Sequence, residues 1–240
     1  MDYEKDFEES FEGTSFGTIY CKHHRGEGKT IIFLHGFSAT LKVWSRLMGF
    51  LPKELDVYLI DLLGHGRSDA PKIDYSIDVQ AQVLKEFVAM VDEDCYLFGH
   101  SYGGWVAAHY ASQQFPCKGI LLEDAAGLKK SYEGLTEEEL GRNKENMIKS
   151  AMAINDNKEY VMRSIVYSDR DLLDAETLAR ISTPTVVVWG SEDKIVDSKF
   201  ASVFAKEIKN SRLEMITGAG HYPHYTHPKQ VSEVIMKFIE

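Results

Sequence analysis

The run Gly99-His100-Ser101-Tyr102-Gly103 has the residue types and spacing that turn a serine hydroxyl into a nucleophile. An apolar, strand-like stretch at residues 95–99 precedes it and a helix-like stretch follows it, so the pattern Gly-x-Ser-x-Gly falls on a sharp strand-to-helix turn. Glycines on both sides relieve crowding at residue 101, and its hydroxyl can project above a sheet while a helix N-terminus faces developing negative charge. A serine that only caps the helix is the plainer alternative; the strand and the paired glycines argue against it.

A serine of this kind needs a base. His221 follows the strand-like residues 212–216 and sits in a short glycine-rich loop, where a neutral imidazole can accept the serine proton and later return it to a leaving group. His224 and His227 lie nearby in a stretch better suited to helix capping or surface exposure, and His109 falls inside the helix after the serine as a structural residue. The acid that orients the base must come from another strand end. Asp193 follows the most apolar strand, residues 185–190, and lies between Ser101 and His221 in the chain order Ser, Asp, His. Glu192 beside it is an alternative, as is Asp124, which closes the strand-like run 119–124.

The elements that must hold these groups alternate. Residues 7–12 and 16–22, joined through 13–15, read as an antiparallel hairpin. Residues 30–36 and 56–62 are short apolar runs suited to strands buried on both faces, as are 95–99, 119–124 and 185–190. Helical spacing appears at Trp44, Leu47, Met48 and Leu51, again over 76–91, after Ser101, over 198–208 and over 228–239. Strand, loop and helix units in this order predict a mostly parallel sheet with ligands beyond the carboxyl ends of its strands. From 127 to 181 the rhythm stops, and a charge-rich helical stretch with apolar stripes at Met147, Met152, Val161, Ile165 and Val166 reads as a small cap. The core is then 1–126 and 182–240, with the cap at 127–181 too short for an independent core.

With 240 residues and a formal net charge of -10, from 37 acidic and 27 basic side chains, the chain repels nucleic acid and anionic membrane surfaces. The three cysteines, Cys21, Cys95 and Cys117, suit buried thiols in a reducing compartment, which together with the absence of a basic and apolar leader in residues 1–7 predicts a cytoplasmic protein. No apolar run has the length of a membrane span. Residues 63–69 contain two glycines but lack the Gly-Lys-Ser/Thr ending of a phosphate loop and the spacing of a dinucleotide loop, so no cofactor is expected. No metal-ligand spacing is visible, and nothing bears on oligomeric state.

The chain resembles the α/β-hydrolase superfamily, in particular its small esterase-like and lipase-like serine members with a short helical cap. The resemblance runs along essentially the whole chain, through residues 34–37, 61–69, 99–104, 189–196 and 218–221. It implies an α/β-hydrolase fold with a mostly parallel central sheet, an N-terminal antiparallel hairpin and flanking helices. It also implies a triad of Ser101, Asp193 and His221, an oxyanion hole from the backbone N–H groups of Phe37 and Tyr102, an elbow His100 pointing away from the reaction centre, and an architectural role for residues 63–69. Serine at the elbow, where related dehalogenases and epoxide hydrolases carry aspartate, points to a carboxylesterase-like serine hydrolase acting on a small or medium acyl substrate. Phe37, Trp44, Tyr102 and Trp105 are candidate pocket-lining residues, with packing in the core as the alternative for each. The same triad also serves lactonases, small-amide hydrolases, monoacylglycerol lipases and carbon-carbon bond hydrolases, and a non-catalytic ligand-binding protein could keep the same pocket.

Overall fold

A strand whose successive residues are all apolar belongs in a sheet covered on both faces. The computed structural model, which describes residues 1–154, 158–168 and 172–240, has such a sheet at its centre. Its eight strands are β1 (Glu8–Thr14), β2 (Gly17–His24), β3 (Thr30–Leu34), β4 (Asp56–Ile60), β5 (Tyr96–His100), β6 (Gly119–Glu123), β7 (Thr185–Gly190) and β8 (Ser211–Ile216), in the order β1-β2-β4-β3-β5-β6-β7-β8. The β1–β2 and β2–β4 pairs are antiparallel, and all others are parallel. The fold is thus the expected α/β-hydrolase arrangement. The hairpin differs in one detail: pairing continues through Thr14↔Gly17, so the turn is Ser15-Phe16 rather than 13–15. Thr14 explains this, because its hydroxyl donates to Gly17 O and accepts from the Phe16 N–H across the turn.

The helices are α1 (Ser45–Met48), α2 (Ile77–Val91), α3 (Tyr102–Ser112), α4 (Glu137–Ile154), α5 (Glu159–Val166), α6 (Ala175–Ala179), α7 (Ala201–Glu207), α8 (Pro223–Thr226) and α9 (Pro228–Ile239). Alternate strand residues divide between two cores. Ile32, Leu34, Leu97, Ile120, Leu122 and Val187 pack with α2, α3 and α7, whereas Ile31, Phe33, Phe98, Leu121, Val186 and Val188 pack with α1 and α9. Ser76 caps α2 by accepting from the Val79 N–H. All eleven residues of α3 are buried. That depth requires small residues on its first turn, because a Cβ on Gly103 would stand 2.2 Å from Leu34 O.

Residues 127–181 leave the sheet and return to it. A parallel bridge between Leu128 and Leu173 joins the two ends of the excursion, with Lys129 N–H donating to Leu173 O and Leu173 N–H to Gly127 O. Helix α5 anchors it to the main core through Val161, Met162 and Ile165. The expected apolar stripe is only partly a packing face: Val161 and Ile165 are buried, but Met147 and Met152 on α4 are exposed, and Ile148 and Ala151 are the residues α4 buries. Among the described residues no helix is long and apolar enough to cross a membrane.

Candidate active site

The parallel register of β5, β6, β7 and β8 brings the loops that follow them to one edge of the sheet. Ser101, the residue between β5 and α3, has φ 51° and ψ -110°, a strained conformation for a residue with a Cβ. Three backbone bonds hold it there: Ser101 N–H donates to Glu123 O at 2.9 Å, and Ser101 O accepts from Trp105 N–H and Ala126 N–H, both at 3.0 Å. The loop after β3 runs close beside this turn, since a Cβ on Gly36 would meet His100 Nδ1 at 2.9 Å and Ser101 Cβ at 3.5 Å. Phe37 and Tyr102, whose amides are the candidate oxyanion donors, are thus carried by two segments that adjoin at Ser101.

His221 lies between β8 and α8. Its Nε2 is 3.1 Å from Ser101 Oγ and its Nδ1 is 2.8 Å from Asp193 Oδ2. Asp193 also accepts from the Ile195 and Val196 N–H groups through Oδ1, at 2.8 and 3.1 Å. These partners fix the tautomer: Nδ1–H donates to the carboxylate, which leaves Nε2 free to accept from the serine O–H. Burial by itself raises the Asp193 carboxyl, but the hydrogen bond and charge of His221, with the Ile195 amide, outweigh it and hold the group below the usual carboxylate range.

Neither alternative acid takes the place of Asp193 at His221 Nδ1. Asp124 is fully buried and its Oδ1 accepts from the Gly190 N–H at 3.0 Å; Glu192 is exposed. Among the other histidines, His100 donates from Nε2 to His221 O at 2.7 Å, which ties the backbone of the base to the elbow. His224 is neither a surface residue nor a cap. It is 1% exposed, its ring bonds the equally buried Glu123 through Nδ1, and its own N–H donates to the other Glu123 oxygen. The burial follows from α8, a short helix absent from the sequence reading, which turns His224 inward against Trp44. The signal for this pair was Glu123 itself, an acid in a strand buried on both faces, which needs a partner. His109 is buried in α3, 3.5 Å from Asp78.

A cavity of about 860 Å³ opens over Ser101 and His221. Phe37, Val43, Met147, Ile154, Ile195 and Tyr222 give it apolar walls, with Asn146, Ser150 and Lys42 as polar points. Of the candidate lining residues only Phe37 borders it. Trp44 packs beneath the sheet against Phe33 and Phe98, and Tyr102 and Trp105 are buried in the core on the α3 side. For Trp44, Tyr102 and Trp105 the packing alternative is the one the structure shows.

The loop 61–69 is held by two of its own side chains. Asp61 accepts from Leu41 N–H and Arg67 N–H, and Ser68 Oγ links Asp61 O to the Tyr20 N–H. His35 donates from Nδ1 to Gly36 O and accepts the Leu62 N–H at Nε2, so β3 and this loop are joined. Two trios, His100–Glu123–His224 and Asp124–Asp193–His221, bring donor atoms within 4.8 Å of one another as a cation would require. In both, the atoms are largely engaged in the hydrogen bonds just described.

Residues 31–234 match the model of the alpha/beta hydrolase family. The chain is 26% identical to monoacylglycerol lipase abhd6-A of Xenopus laevis, over 94% of this chain and 81% of that one. It is 25% identical to monoacylglycerol lipase ABHD6 of Mus musculus, over 92% and 79%. Among solved structures, an esterase from Exiguobacterium antarcticum superposes with a TM-score of 0.85 at 21% identity, covering 96% of this chain and 98% of that one. The CarC serine hydrolase involved in carbazole degradation superposes with a TM-score of 0.81 at 22% identity, covering 97% and 98%. At these identities the structural likeness speaks for the fold.

Proposed function

The chain belongs to the alpha/beta hydrolase family, and we propose that it is a serine hydrolase that cleaves a small or medium carboxylic ester through an acyl-enzyme on Ser101. The observation that carries this reading is the unbroken hydrogen-bond chain from Ser101 through His221 to Asp193 at the base of an apolar cavity. Ser101 Oγ attacks the ester carbonyl carbon as its proton passes to His221 Nε2, and the carbonyl oxygen becomes an oxyanion held by the Phe37 and Tyr102 N–H groups. His221 then gives that proton to the departing alcohol. Water, deprotonated by the same imidazole, attacks the acyl carbon; the bond from that carbon to Ser101 Oγ then breaks, the imidazolium returns the proton to Oγ, and the acid is released. Asp193 keeps the tautomer and stabilises the imidazolium at each stage. In this reading residues 1–126 and 182–240 form the hydrolase core and 127–181 a helical cap over the cavity.

A second reading, cleavage of a monoacylglycerol, is favoured by the curated relatives named monoacylglycerol lipases and by a cavity whose mouth carries exposed Ile154, Ile195 and Tyr225. A p-nitrophenyl ester series separates the two. Each methylene buried against an apolar wall gains about 0.8 kcal/mol, so kcat/KM rises with chain length until the pocket is full. A plateau by about eight carbons supports the smaller substrate. A steady rise through about sixteen carbons, with turnover of monoacylglycerols, supports the second. A pre-steady-state burst of p-nitrophenol is expected in either case; binding without any release of product would make the chain a ligand-binding protein.

A further inference from the structure

We propose that Asp124 is a positioning residue for the Ser101–His221–Asp193 chain: a neutral carboxylic acid beside Asp193 that leaves Asp193 the only charge of a buried acid pair and steadies it against His221. The inference rests on the roles given to those three residues above.

Asp124 is the first residue after β6 and is held with φ 46°. Its N–H donates to Val188 O and its Oδ1 accepts from the Gly190 N–H, so it is fastened to β7, the strand that leads to Asp193. One oxygen of Asp124, one of Asp193 and a ring nitrogen of His221 lie within 4.8 Å of one another, and all three residues are buried. Asp124 Oδ2 is buried and makes no hydrogen bond of ordinary geometry among the described residues.

Two carboxyls at this separation away from water do not both ionise. The donors decide which one does. Asp193 has three, from His221 Nδ1, Ile195 N–H and Val196 N–H; Asp124 has the Gly190 N–H. The titratable groups acting on Asp124 are the Glu123 carboxyl at the end of β6, Asp193 from the loop after β7 and His221 from the loop after β8. Burial first, then the negative charge of Glu123, holds the Asp124 carboxyl far above the usual carboxylate range, in agreement with the donor count. The proton then belongs on Oδ2, where it is available to the Asp193 carboxylate. It stays in place through the reaction, so no step of the acyl transfer consumes it.

The sign of the effect separates this arrangement from its rivals. A charged Asp124 adds a second negative charge near His221 and favours the imidazolium, whereas a neutral one does not. Asp124→Asn retains a neutral side chain with an acceptor for Gly190 and a donor for Asp193, and asparagine tolerates the left-handed backbone. Asp124→Gly accepts the same backbone and removes both functions.

The test combines two readouts. Infrared difference spectra at neutral pH should contain the carbonyl stretch of a protonated carboxyl, shifted in D2O and missing from Asp124→Asn; a wild-type spectrum with no such band overturns the proposal. In the pH profile of kcat/KM for an ester, Asp124→Asn should leave the acidic limb in place. Asp124→Gly should lower the rate about tenfold, the equivalent of one charge-assisted hydrogen bond, and move that limb to higher pH as Asp193 becomes more basic. A limb that drops in Asp124→Asn means a charged Asp124, and an unmoved limb with lowered stability in Asp124→Gly means a purely structural residue; both refute the proposal. The infrared band does not depend on turnover, so a chain that cleaves no ester would fail as a hydrolase while the protonation of Asp124 was still decided.

Discussion

Asp193→Asn exchanges one carboxylate oxygen for an amide and leaves the size of the side chain unchanged. The amide oxygen can keep the Ile195 and Val196 N–H bonds, which directs the NH2 group at His221 Nδ1, 2.8 Å away in the parent chain. Nδ1 must then accept, the ring proton moves to Nε2, and Nε2 presents a hydrogen to Ser101 Oγ instead of a lone pair. The imidazolium formed during attack also loses its counter-charge. Two unit charges at that separation interact by about 6 kcal/mol at an effective dielectric constant of about 20, and each 1.36 kcal/mol is tenfold in rate. The expected loss is therefore about 10⁴ in the rate of acylation, the size found when tautomer and charge are lost together in a serine triad. Stopped-flow release of p-nitrophenol measures it, with circular dichroism unchanged. Near-normal acylation in Asp193→Asn together with a large loss in Asp124→Asn would refute the reasoning and move the acid to Asp124.

His224→Ala leaves the Glu123 carboxyl buried without its imidazole partner and should destabilise the chain by about 3 to 5 kcal/mol in urea unfolding, while ester turnover by the folded fraction stays far above that of His221→Ala; equal losses of turnover would place His224 in the chemistry. Burial lowers the pKa of His35 to about 4, and burial with the neighbouring His35 lowers that of His65 to about 3, from ordinary values of 6.5. The unfolded chain then binds more protons below pH 6.5, and the stability these neutral rings contribute is lost as pH falls from there through those values. Each ring adds up to about 1.4 kcal/mol per pH unit to the slope. Unfolding midpoints from pH 6.5 to 4 should therefore fall less steeply in His65→Gln than in the parent, and parallel curves would show that His65 does not titrate as described.

What the sequence disclosed follows from periodicity. The sheet was legible because β3, β5, β6 and β7 each carry consecutive apolar residues, without the alternation of a strand that has one wet face, as their burial at every position requires. The turn at Ser101 was legible because Gly99 and Gly103 flank it and close backbone approach demands glycine there. Periodicity reports burial but not the surface against which a side chain is buried. For Trp44, Tyr102 and Trp105 both pocket lining and core packing were thus open from the sequence, and the structure places them in the core. The same ambiguity applied to α4, whose methionines are exposed, Met147 at the cavity wall, while α5 carries the anchor to the core. His224 was hidden for another reason: a four-residue helix leaves little periodic trace, and its partner Glu123 lies 101 residues earlier in the chain.

The central claim is that Ser101 becomes covalently acylated during turnover. Rapid acid quench of the chain with a p-nitrophenyl ester, followed by intact and peptide mass spectrometry, tests it most directly. The account predicts one acyl group per chain, on the peptide containing Ser101, formed at the rate of the burst and absent in Ser101→Ala. An acyl group on another residue, or turnover that persists undiminished in Ser101→Ala, would contradict it.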